Sequence, residues 1–421
     1  MPVLTKQIGE GIHFRYIYCD KFKTNYFSAQ FFMPLARETA SSFSLLPAVL
    51  DRGCVDFPSK AAICKQLEAL YSTGLNYRVG KRAEMQAISF SMDILDDKFS
   101  YDGTRIFDEA MALFSSYVFH PYLENGAFSS TFVEGEKKLL CDKIKARINN
   151  KTKYALTRCT EIMCEGEAYG ISELGTVEEV EKITPESLYR AYLQLLREAT
   201  VEVFFIGSKP IEEVLPYVEK MFSYTDRAPV SIEPKKGRCG EVKNVCEPVN
   251  AVQGKLTLGF RMQNTPADGV LPLFNAIFGA SPASKLFMNV REKLSLCYYC
   301  HSTADRAKGV MFVYSGVENQ NADKAREEIL LQLQEIIREA VTDEEMYCAK
   351  QFLYNSYRSI DDSASTIEAW YLGCIFNGNL QEPQELAAKI EALTVKDIAT
   401  FAEGIALDTV YLMKGTAKED E

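Results

Sequence analysis

Histidine is scarce in this chain: three residues in 421, at positions 13, 120 and 301. No two lie within five residues of each other, so a short paired-histidine zinc motif cannot be assembled from them. Basic residues are not in excess either. The 47 Lys and Arg against 58 Asp and Glu leave a formal charge of −11, with no cationic stripe to neutralise phosphates, which excludes a nucleic-acid partner. No apolar run reaches the roughly 18 residues of a membrane span. The start, MPVLTKQIGEGIHFRYIYCDKFK, lacks the apolar core and small-residue cleavage site of a secretory leader. The twelve cysteines follow no framework spacing and read as reduced, mostly buried thiols. These absences describe a cytoplasmic protein with no membrane attachment.

What is present is a large apolar share, 47%, with 25% charged residues, enough for a sizeable core. A chain of this length exceeds one ordinary domain, and two are expected. Residues 12–19 and 25–33 are aromatic and β-branched and read as an antiparallel strand pair. A helix through Leu45, Leu46, Val49 and Leu50 follows, with Gly53 as its C-terminal cap. A second helix starts at Pro58 and Ser59 and carries Ile63, Leu67 and Leu70. Strands at 75–80 and 85–94 lead to a helix through Ile106, Ala110, Leu113 and Tyr117. One long Lys/Glu-rich helical stretch is expected over about 128–166, its charged face solvated. Thr184-Pro185-Glu186 opens a capped helix, and Thr200–Gly207 is a strand. A short helix over 208–222 completes this half.

Residues 223–248 hold three prolines and two glycines with mixed charge and no period, and read as a linker. Beyond it the pattern repeats: strand 254–262, helix 268–278, strand 309–316, helix Ala325–Ile337, and a long helix near 343–360 with Thr342 as cap and acidic residues in its first turn. The segment ITPESLYRAYLQLLREATVEVFFIG (183–207) matches LTVKDIATFAEGIALDTVYLMKG (393–415), each a Thr-capped helix followed by a strand ending in Gly. Thr184 to Thr394 is an offset of 210 (394 − 184), and Gly53 to Gly279 an offset of 226 (279 − 53). Two such offsets indicate a duplication with insertions. The fold class is therefore α+β: two homologous domains, 1–222 and 249–421, joined by the 223–248 linker, each an antiparallel-rich β-sheet with helices packed on one face.

The organising stretch is FGASPASKLFMNVREKLSLCYYCH, residues 278–301. A small-residue turn opens it. Leu286, Phe287, Val290 and Leu294 then recur as one helix face, and a Tyr- and Cys-rich strand follows. Arg291 near the helix end and Tyr298 in the strand can aim a guanidinium and a phenol at one peptide carbonyl.

Here the chain resembles the M16 (insulinase, or pitrilysin-like) metallopeptidase family in its two-domain processing-peptidase form, a LuxS/M16-like fold. SKLFMNVREKLSLCYY (284–299) and KGVMFVYSGV after it carry the resemblance. In that family one chain supplies zinc through a His-x-x-Glu-His helix and a downstream glutamate, and an Arg–Tyr pair grips the substrate. Anchored on Gly53, the zinc-motif positions here read Ser44-Leu45-Leu46-Pro47-Ala48, and the downstream ligand falls on Lys143, with Glu136 kept seven residues earlier. An ammonium has no lone pair for a metal, and Ser, Pro and Ala do not replace imidazole. The resemblance thus implies no metal site and no catalytic residue in this chain alone, Arg291 and Tyr298 as substrate-binding residues, and no cofactor except zinc in a partner. The implied partners are a zinc-bearing M16 paralogue in a heterodimer and a peptide or protein substrate. VLDRGCVDFPSKAAICKQLEALYSTG further resembles a non-catalytic bacterial subfamily associated by name with elongation factor P modification. The alternatives are a non-enzymatic scaffold or peptide-binding protein with this fold and, disfavoured by the histidine count, a self-standing zinc endopeptidase.

The remaining candidates have plain structural readings. Cys297-x-x-Cys300 lies in a strand, where its thiols are expected on opposite faces, which argues against redox or metal use. Cys159 and Cys164 read as core thiols. His13 and His120 read as structural or exposed, and His301 as a strand residue near Tyr298.

Overall fold

The computed structural model describes residues 2–224, 226–230, 237 and 239–416. The chain divides into two compact units, Met1–Lys145 with Ile171–Glu233, and Ala146–Gly170 with Pro234–Glu421.

In the first unit the strands are β1 (Leu4–Gly9), β2 (Ile12–Tyr18), β3 (Thr24–Pro34), β4 (Gly74–Arg82) and β5 (Met85–Leu95). A two-residue hairpin, β6 (Leu123–Glu124) and β7 (Ala127–Phe128), precedes β8 (Thr200–Gly207). The main sheet runs β1-β2-β8-β3-β5-β4. The expected pairing of β2 with β3 is therefore corrected: β8 lies between them, parallel to β2 and antiparallel to β3. Its sequence explains the placement, because TVEVFFIG carries apolar residues on both faces, Glu202 being the one charge, and is buried from Val201 to Gly207, as suits an interior strand. Phe27, Phe31 and Phe90 point from the sheet into a core closed by the helices Arg37–Leu50, Ile106–Phe119 and Pro185–Glu198, where Phe27 and Phe114 meet edge to face at 4.9 Å. Each fully buried ring of this kind contributes about 2 to 3 kcal/mol. Thr184 caps the helix at Pro185 as its sequence predicts, accepting from the Ser187 amide at 3.2 Å. Gly53 does not act as a left-handed cap, since the helix ends at Leu50. A Cβ there would sit 2.8 Å from the Pro58 carbonyl carbon, so close backbone approach requires the glycine.

The second unit holds β9 (Lys243–Val249), β10 (Gly254–Met262), β11 (Cys297–Asp305), β12 (Val310–Val317) and β13 (Ile405–Gly415), ordered β11-β12-β10-β13-β9. Its pairing copies the first sheet. In each, a central strand (β3 or β10) runs antiparallel to both neighbours, and the next strand out (β2 or β9) runs parallel. The strand β9 thus begins the second repeat inside the stretch read as linker, of which 225, 231–236 and 238 lie outside the described residues.

The expected continuous helix over 128–166 is broken. Ser130–Lys145 ends in a 3-10 turn at Ala146–Asn149, and Asn150 caps a new helix, Lys151–Met163, accepting from the Lys153 amide at 3.0 Å. This second helix belongs to the second unit. Its Ala155, Cys159 and Met163 pack on Val310, Phe312, Tyr411 and Met413, the sheet face opposite the main helical core around Leu258, Phe260 and Val313. A buried ionic cluster fixes it there. The Arg261 guanidinium, 5% exposed, reaches Asp408 at 2.8 Å, Glu167 at 2.6 Å and the Met163 carbonyl at 2.9 Å. Lys308, fully buried, holds the other oxygen of Glu167 at 2.5 Å. Partial burial raises the Glu167 carboxyl, but the Arg261 and Lys308 contacts outweigh it and hold the group below its ordinary 4.5.

Glu167→Gln leaves two buried cations short of an anion and is expected to cost about 3 kcal/mol, the low end for breaking a buried pair. Because the folded-state value is depressed, the contribution is present above about pH 4.5 and is lost as pH falls through the folded value. Thermal unfolding of wild type and variant at pH 7 and pH 4 checks this: the gap should shrink in acid.

Candidate functional site

The 278–301 stretch folds as two π-helical segments and a strand. The α-helix Val270–Asn275 widens into a π-helix at Ala276–Ala280, and a second π-helix spans Leu286–Lys293. Extra residues per turn of this kind recur at functional positions. Gly279 is needed at the junction with β11: a Cβ would sit 2.6 Å from Ser302 Oγ and 2.8 Å from Leu286 Cδ1. The wider turn also alters the expected apolar face. Leu286 and Val290 are fully buried, but Leu294 is 45% exposed. Its amide donates to the Asn289 carbonyl five residues back at 3.1 Å. Ser295 then takes a left-handed conformation, φ 49°, and turns the chain into β11.

A bulge opens that strand. Cys297 pairs with Val317 and Tyr299 with Gly316, so two steps on β11 face one on β12 and Tyr298 is the unpaired residue. A bulge re-aims its side chain, and Tyr298 is 51% exposed. Arg291 packs its guanidinium 4.7 Å from the centre of the Phe287 ring, with Nε 3.5 Å from Glu292. Arg291 and Tyr298 line the same open cavity of about 380 Å³, together with Ser295, Glu318 and Asn321. Its walls offer guanidinium and phenol donors for a carbonyl and the Glu292 and Glu318 carboxylates for amide or ammonium groups.

The bulge overturns the expectation for Cys297 and Cys300. With Tyr298 extruded, both thiols fall on one buried face of β11, facing Val317 and Ser315 respectively, and they interact with each other. Nothing in the residue types of the sequence signals the bulge. Tyr299 and His301 turn to the other face, ring centres 6.2 Å apart, with Tyr299 hydroxyl 2.7 Å from Thr152 Oγ1. His301 pairs with Tyr314 across the strands, and His13 lies 3.2 Å from Glu202 in the first unit.

The positions matched to a zinc motif carry different chemistry. Ser44, Leu45, Leu46 and Pro47 are buried within the helix Arg37–Leu50. Glu136 is buried and pairs with Arg52, while Asp51 is held by Tyr117 at 3.0 Å and Lys60 at 2.5 Å. Lys143 is exposed on the helix Ser130–Lys145. Carboxylates already neutralised by cations, one hydroxyl and an ammonium do not make a zinc donor set. Protein purified by itself should carry far less than one zinc per chain by elemental analysis after dialysis, and stoichiometric metal would contradict the assignment.

Comparison with known proteins agrees with this geometry. Residues 182–353 match the family model described as Peptidase M16 inactive domain. A Bacillus subtilis (strain 168) protein named probable inactive metalloprotease YmfF is 31% identical over 412 residues, 96% of each chain. A conserved protein from Enterococcus faecalis V583 superposes with TM-score 0.90 at 26% identity, covering 99% of this chain and 100% of that one. A Pseudomonas fluorescens peptidase M16 inactive domain gives 0.80 at 16% identity, with 100% of each covered. With Ser44, Pro47, Ala48 and Lys143 at the motif positions, the chain belongs to the M16 peptidase family as one of its non-catalytic members.

Proposed function

We propose that this chain is a peptide-binding M16 subunit that pairs with a zinc-bearing paralogue and presents Arg291 and Tyr298 to the substrate. One observation carries the reading. The two histidine positions of the motif hold Ser44 and Ala48, its glutamate position Pro47 and the downstream ligand position Lys143, yet a π-helix and a bulge still turn Arg291 and Tyr298 to one cavity. A guanidinium and a phenol fixed on a scaffold can hold a scissile carbonyl and stabilise the oxyanion formed by chemistry on the partner. The zinc, its water and its general base belong to that partner, and this chain's residues bind and orient.

Co-expression with an M16 paralogue from the same cell that carries a His-x-x-Glu-His motif tests it. Peptide cleavage by the complex should fall about 10²-fold in Arg291→Ala, in line with the loss of one oxyanion donor, with co-elution of the two chains unchanged. Unaltered turnover would rule the role out.

A second reading, a scaffold whose surface near this stretch meets another protein, draws on exposed apolar side chains. Met288, Leu294 and Leu331 are each nearly half exposed, and the latter two border one cavity of about 550 Å³ with Lys324 and Glu327. It predicts that Leu294→Asp breaks assembly while Arg291→Ala has no effect on any function.

A further inference from the structure

Twelve cysteines invite the question whether any is more than filling. Cys159 and Cys374 are pushed up by burial, the first strongly, as expected for inert core thiols. Cys297 and Cys300 differ from these in geometry. The extruded Tyr298 brings two thiols three residues apart onto the same face of β11. Cys297 also lines the cavity that holds Arg291 and Tyr298, so a small solute can approach it, whereas Cys300 is fully buried behind. Opposite Cys300, the buried Ser315 hydroxyl has no oxygen or nitrogen partner among the described residues and faces the two sulfurs.

We propose that Cys297 and Cys300 form a redox-responsive thiol pair at the wall of the Arg291–Tyr298 cleft, which a hydroperoxide converts to a disulfide. The Cys297 thiolate attacks one peroxide oxygen. The S–O bond forms, the O–O bond breaks, and the leaving alkoxide takes a proton to depart as alcohol. The resulting sulfenic acid is attacked by the Cys300 sulfur. The S–S bond forms, the S–O bond breaks, and hydroxide leaves with the Cys300 proton as water. Two electrons pass from the thiols to the peroxide.

The surroundings assign the order of attack. Contact with the Cys300 thiol lowers the Cys297 value, partly opposed by burial, and the Ser315 hydroxyl and the Arg291 guanidinium lower it further. Contact with Cys297 and burial push Cys300 well up. Glu292, Glu318 and Tyr298 also face the cavity, and Tyr299 flanks the pair. Cys297, at the cleft wall, is therefore the nucleophile and Cys300, behind it, the resolving thiol. Bringing the sulfurs to about 2 Å requires Cβ atoms roughly 4 Å apart, and the unpaired bulge residue between them gives the backbone freedom to close. Any effect of the disulfide on peptide binding rests on the reading of the cleft above. The thiol chemistry does not, and its test reads sulfur alone.

The reduced full-length protein is treated with hydrogen peroxide at neutral pH, quenched with N-ethylmaleimide, digested and weighed. The peptide carrying Cys297 and Cys300 should lose two hydrogens before the exposed Cys64 and Cys246 lose their capacity to alkylate. In Cys300→Ser, dimedone should trap a sulfenic acid on Cys297. Alkylation of wild-type Cys297 should rise with pH to a midpoint below the roughly 8.5 of a free thiol, and Arg291→Met should move that midpoint up. Cys297 and Cys300 still alkylating after Cys64 and Cys246 have oxidised, or a disulfide from either to another cysteine, would overturn the proposal.

Discussion

A single buried arginine ties the second unit together. Arg261 projects from β10 to Asp408 on β13 and to Glu167 on the 146–170 segment, so one guanidinium joins two strands and a helix that lies about a hundred residues earlier in the chain. A buried guanidinium is tolerable only where carboxylates satisfy it. Here both are fixed by elements that need Arg261 in return. The outlying contacts follow the same logic: Arg158 pairs with Glu247 on β9 at 2.8 Å, and Tyr411 donates to that carboxylate at 2.8 Å. The apolar layer of Ala155, Cys159 and Met163 then fills beneath charges that have set its position.

On the other side of the unit the controlling constraint is one unpaired residue. Removing Tyr298 from the β ladder exposes its phenol, sets two thiols side by side, and turns Tyr299 toward His301 and Tyr314. The π-helical Leu286–Lys293 places Arg291 on the same opening. Both devices cost regular hydrogen bonding and both sit within residues 286–299, where irregular backbone serves a surface rather than a core.

Much of this was legible in residue order. Runs rich in apolar, aromatic and β-branched residues located β3, β5, β8, β10 and β12, and the Thr184 and Thr394 caps located two matching helices, because those signals are local. Pairing was less accessible: that β8 separates β2 from β3 depends on contacts almost two hundred residues apart. So was β9, whose alternating exposure and edge position resemble a linker in composition. At the cleft, residue types and spacing pointed to Arg291 and Tyr298 as neighbours, but the bulge that governs Cys297 and Cys300 comes from register, which no single strand encodes. The loss of metal chemistry was readable from Ser44 to Ala48; that Arg52 neutralises Glu136 was not.

The segment Ala146–Gly170 has a consequence for how the molecule can be made and cut. During synthesis it emerges long before β10, β12 and β13, so its apolar residues must wait for a sheet not yet translated. A fragment beginning at Pro234 would contain every strand of that sheet but not its cover, leaving Val310, Phe312, Tyr411 and Met413 bare and Arg261 without Glu167. The second repeat is continuous in sequence, yet the folded body is not. Its smallest self-sufficient form includes a piece of chain borrowed from the first half.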